Sequence, residues 1–229
     1  MRENMREVTG GIVKTVLFIG LVMFFCPAVV FLGLFAASKL GLTTSRVQVP
    51  LSHVAIDGEE IPIPLQGKVT EGKGWVLRNS KGQYTLTLDG LKAGSLERKT
   101  PALEIQGDLT LVLKKGTESE LLSADAALKK GAGTLTIRGE GSLRLQGETA
   151  LEGEWKEETL NQDEPSALRI EGGKLVFTGE ETALYEDTVE LAGGEIQIQC
   201  LNGKGTGIRA HTLDDRHFSG SLEMEESEE

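Results

Sequence analysis

From Tyr84 onward the chain is written in short runs that alternate apolar and polar residues: YTLTL (84–88), ALEIQ (102–106), LTLVL (109–113), TLTIR (134–138), SLRLQ (142–146), ALRIE (167–171), KLVFT (174–178) and EIQIQ (195–199). Glycine closes most of them, at Gly107, Gly139, Gly147, Gly172 and Gly179. A period of two with glycine stops is the pattern of half-buried strands. In LTLVL, Leu109, Leu111 and Leu113 point one way and Thr110 and Val112 the other. No stretch after residue 40 holds a 3.6-residue apolar period over three turns, so helices are not expected there.

The runs also repeat. A small residue followed by Leu or Ile recurs at Ala102-Leu103, Ala127-Leu128, Ala150-Leu151, Ala167-Leu168, Ala183-Leu184 and Gly207-Ile208. Strand repeats of this length cannot bury an apolar face singly, but stacked coils make one continuous core. The expectation is an all-β solenoid with Leu, Ile, Val and Phe in ladders along its axis and glycines at its corners. The rival is an antiparallel sandwich or barrel, which calls for Asp-Gly or Asn-Gly hairpins. Asp57-Gly58, Asp89-Gly90 and Asn202-Gly203 are the clear ones.

Ahead of this domain lie 24 uncharged residues between Lys14 and Lys39. As a helix they reach about 36 Å, enough for a bilayer core. We read 1–14 as a cytoplasmic N-terminus and 15–38 as one transmembrane helix, with everything beyond outside the cell membrane. The alternative is a cleaved signal peptide ending near Ala36-Ala37-Ser38, but the apolar run exceeds the usual length. Cys26 is read as a thiol inside the span. Residues 39–66 form a stalk and first cap, with a short hairpin at HVAID-GEE-IPI and an edge run demoted by Pro62 and Pro64. Residues 67–220 form the solenoid, and 221–229 an acidic disordered tail.

Composition excludes several classes. The net charge is −11, and the first 39 residues carry more Lys and Arg than Glu, so the rest is more acidic still. Such a domain is a poor partner for nucleic acid. With Cys200 alone beyond the span, it closes no internal disulfide. No nucleophile elbow or phosphate loop is present.

YTLTLDGLKA, PALEIQGDLTLVLKKGTESEL, AALKKGAGTLTIRGEGSLRLQG and SALRIEGGKLVFTG resemble the carbohydrate-binding right-handed parallel β-helix family of bacterial surface proteins. The resemblance spans roughly residues 80 to 210. It implies an exported right-handed parallel β-helix that binds polysaccharide or cell-wall material, with calcium in some members. No D-x-D-x-D loop supports a calcium site here, and no other cofactor is implied.

The candidate carbohydrate contacts are aromatic: Trp155 in the charged insertion EGEWKEETLNQDEP, Tyr185 and Trp75. The HTLDDRH segment sets His211 and His217 beside Asp214 and Asp215, either a metal or acid–base cluster or a polar cap. Cys200 reads as a core residue. Glu104, Glu152 and Glu171 could approach one another across coils as a hydrolase would need. The acidic surplus makes them a solvated face instead, and the domain is read as non-catalytic. The alternative is an assembly module that docks a surface protein.

Overall fold

The computed structural model describes residues 48–155, 166–203 and 205–226. The expected N-terminus and transmembrane helix (1–14 and 15–38) lie outside the described residues. All regular structure among the described residues is β. In chain order the strands are β1 (His53–Ile56), β2 (Glu59–Glu60), β3 (Val69–Gly72), β4 (Trp75–Ser80), β5 (Gln83–Leu88) and β6 (Lys92–Ser95). Next come β7 (Leu103–Gln106), β8 (Leu109–Leu113), β9 (Glu118–Ser123), β10 (Ala126–Lys130), β11 (Gly133–Gly139) and β12 (Ser142–Glu152). The last five are β13 (Ser166–Ile170), β14 (Lys174–Leu191), β15 (Glu195–Cys200), β16 (Thr206–Asp214) and β17 (Ser221–Glu226).

Every pairing among the strands from β5 to β17 is parallel, which excludes the antiparallel sandwich. The chain visits three stacks in a fixed order and then repeats. One stack holds β5, β8, β11, β13 and the ends of β14 and β16. The next holds β6, β9, the starts of β12 and β14, β15 and β17. The third holds β7, β10, the end of β12, the middle of β14 and the start of β16. This is a three-sided solenoid. Its long strands bend round corners, so β14 contributes to all three stacks.

The core is a set of aliphatic ladders. In the third stack Leu103, Leu128, Leu151, Leu184 and Ile208 lie in register. In the second, Ala93, Leu121, Leu145, Phe177, Ile198 and Met224 do the same. The small-residue-plus-Leu repeat is the signature of the third stack: Ala102, Ala127, Ala150 and Ala183 are all buried next to their leucines. Two consecutive residues face inward there because the chain is turning a corner, and a small residue takes the first place. Ala167-Leu168 is the exception, belonging to the first stack opposite Leu135 and Val189.

Glycines hold the corners. Gly139 has φ 120° and Gly194 φ 103°, where side chains are strained. A Cβ on Gly139 would stand 2.2 Å from the Leu113 carbonyl oxygen of the coil below. The first coil is capped by β1, which runs antiparallel to β7, and by the antiparallel β3–β4–β5 meander. Asp57-Gly58 makes the expected hairpin turn between β1 and β2.

The tail differs from the composition reading. Ser221–Glu226 is a strand, parallel to β15, rather than the start of a disordered end. Its alternation sets Leu222 and Met224 on Ile196 and Ile198. Glu225 accepts a 2.9 Å hydrogen bond from Gln199 Nε2 on the outside. The Glu-rich composition concealed that period of two.

Candidate functional site

Alternation in the third stack turns one residue per coil outward between the inward ladder members. Register sets these as Glu104, Lys129, Glu152, Tyr185 and Arg209. The first three form a mixed-charge row, with Lys129 Nζ 3.7 Å from Glu152. The last two begin a different surface. Trp155, three residues beyond the end of β12, lays its indole against Tyr185 with ring centroids 5.0 Å apart and planes 25° apart. His211 lies on the same side of β16 as Arg209, and its ring centroid is 3.8 Å from that of Trp155. The Arg209 guanidinium carbon is 5.4 Å from both the Trp155 and the Tyr185 ring centroids, within reach of a cation–π contact. His211 Nδ1 is 2.7 Å from Asp187 Oδ1, which fixes the imidazole plane.

The result is an exposed cluster of apolar ring faces edged by a guanidinium, an imidazole and a carboxylate. Tyr185 and Trp155 are half-buried, while Arg209 and His211 are exposed. A pyranose presents the complementary surface: a C–H face that stacks on aromatic rings and a rim of hydroxyls that seek donors and acceptors.

Of the three aromatic candidates, the structure brings Trp155 and Tyr185 together and sets Trp75 apart. Trp75 opens β4 in the N-terminal cap, packs on the core, and rests on the bare Cα of Gly72. It serves the cap. Sequence reasoning undervalued His211 and missed Arg209 and Asp187. The signal was available in the repeat. Stacking Gly207-Ile208 on Ala183-Leu184 puts Arg209 beside Tyr185 and, two residues on, His211 beside Asp187.

The remaining candidates disperse. His211 turns to Asp187, whereas Asp214 is engaged by Arg216 at 2.9 Å (Nε) and 2.6 Å (Nη2). The Arg216 side chain and then its backbone N–H hold the Asp214 carboxyl well below the usual carboxylate range. Among the described residues no group of three or more His, Cys, Asp or Glu is gathered in one place. Glu104 and Glu152 are two coils apart with Lys129 between them, and Glu171 pairs with Arg169 at 2.9 Å. The three carboxylates form no pair. Cys200 is buried in the core. A concavity of about 290 Å³ on the second stack is lined by Lys92, Glu120, Arg144 and Lys174 among others, with no aromatic ring.

A family model described as carbohydrate-binding domain-containing protein matches residues 52–227, essentially the whole solenoid with its cap. The chain belongs to that family. No curated protein and no solved structure matches it. The match covers every residue of the aromatic cluster.

Proposed function

We propose that this chain is a membrane-anchored, exported, right-handed β-helix that binds polysaccharide or cell-wall glycan without cleaving it. The Trp155–Tyr185–Arg209–His211 cluster is the contact surface, and it is the observation that carries the reading. Family membership supports the ligand class. The uncharged 24-residue run supports the anchor, whose span would place the rigid solenoid just outside the membrane.

Charge narrows the ligand. A net of −11 repels anionic polymers, and the one cation inside the cluster is Arg209. Neutral glycan is therefore the preferred partner. A glycan array probed with the full chain tests this: neutral oligosaccharides should be retained, and Trp155→Ala should abolish the signal.

A second reading rests on a separate observation. The last coil leaves Leu213, Leu222 and Met224 exposed, a surface that a docked protein would cover. Silence on the array together with a stoichiometric co-purifying protein would favour this assembly role.

A further inference from the structure

Beneath the aromatic cluster lies a buried polar group that the glycan contact does not use. Lys130, Ser166 and Glu186 are all almost fully buried. Lys130 Nζ donates to Ser166 Oγ at 2.8 Å and to the Gly131 carbonyl at 3.1 Å. Ser166 Oγ donates to Glu186 Oε1 at 2.7 Å. Lys130 Nζ and Glu186 Oε2 form an ion pair at 2.8 Å, although Oε2 accepts no directed hydrogen bond. Burial pushes the Lys130 ammonium below its ordinary value, and the Glu186 carboxylate opposes that fall.

Ion pairs inside a solenoid are costly, and apolar residues of similar volume commonly replace them without loss of stability. The place of this one suggests a use beyond stability. Lys130 and Glu186 belong to coils on either side of the one that ends at Gly153. Gly153 lets them meet, since a Cβ there would stand 2.2 Å from Glu186 Oε2. Its N–H donates to the Tyr185 carbonyl at 2.6 Å. Trp155 follows two residues later. On the other side, Glu186 Oε1 accepts the Asp187 N–H at 2.9 Å, and the Asp187 carboxylate holds His211.

From this geometry we infer that Glu186 is the positioning residue of the aromatic cluster: its carboxylate packs on the bare Gly153 below Trp155, and its Oε1 holds the Asp187 backbone against His211. The inference rests on the cluster being the contact surface, but its geometric part is tested without ligand. The chain holds two tryptophans, so Trp75→Phe leaves Trp155 as the sole reporter. In that background two isosteric pairs separate positioning from burial. Lys130→Met with Glu186→Leu removes both charges and both oxygens. Lys130→Met with Glu186→Gln removes the charges but keeps an acceptor for the Asp187 N–H.

Acrylamide quenching of Trp155 is measured first, on folded protein checked by far-UV circular dichroism. The Leu pair should be quenched several-fold more readily than wild type, and the Gln pair like wild type. Glycan titration should then show at least about a tenfold loss of affinity for the Leu pair alone, as expected when a preorganised surface is loosened. Wild-type quenching in both pairs, or equal disturbance in both, overturns the inference. Wild-type protein that binds no glycan overturns the ligand reading instead and leaves the quenching result to decide the positioning on its own.

Discussion

Tryptophan in a charged stretch can serve as a lid over the fold or as a contact surface, and at Trp155 the neighbours decide. Its indole faces Tyr185, His211 and Arg209, whose edges are polar and open to solvent. Trp75 has the opposite surroundings, against the core and the bare Gly72. Two substitutions should therefore diverge. Trp155→Ala should weaken glycan binding by at least about tenfold, near 1.4 kcal/mol, with the denaturation midpoint little changed. Trp75→Ala should lower the midpoint and leave the affinity of the folded fraction intact. Calorimetric titration and chemical denaturation of both variants check this. Sequence alone flagged both rings as aromatics outside the anchor. Only the coil register separates them, because register depends on which turns are long and which corners take one residue or two.

At the scale of strands, in-register ladders carry the apolar burial, and the first and second stacks hold more than one each. Phe177, wholly buried between Leu145 and Ile198, is the largest side chain in its ladder. Phe177→Ala should cost about 3–5 kcal/mol, read as a shift of the urea midpoint. Gly194→Ala should cost about 1–3 kcal/mol, because φ is 103° and the new methyl would stand 2.9 Å from the Gly173 carbonyl oxygen. The short strands with clean alternation were legible in the sequence, as was the Ala-Leu repeat of the third stack. The strands ESELLS, AALKK and SLEMEE were not. In ESELLS burial alternates but Ser119 and Ser123 take inward places, in AALKK a corner and a buried lysine break the period of two, and in SLEMEE acidic residues dominate the composition. The buried Lys130 was illegible for the same reason. A lysine facing inward makes sense only once Glu186, two coils away, is known to meet it.

The solenoid is asymmetric among its described residues. One end is closed by antiparallel β1 and the β3–β4–β5 meander, while the final coil leaves Leu213, Leu222 and Met224 uncovered. The aromatic cluster lies near the uncovered end, so the stacking of the coils carries it away from the cap. The chain is acidic as a whole, but the contacts within this surface are chiefly ring faces. Glycan affinity should therefore change less than about twofold between dilute buffer and ~0.5 M salt, since stacking is not screened. A steep decline on the same titration would assign the binding to Arg209 and an anionic ligand. Whether the Trp155 cluster binds neutral glycan is read from Trp155 fluorescence in Trp75→Phe protein titrated with a neutral oligosaccharide retained on the array. A saturable change is expected, and it should disappear in Tyr185→Ala and Arg209→Ala protein. A glycan that binds with unchanged affinity to both variants, while the Trp155 signal stays constant, would contradict binding at this cluster.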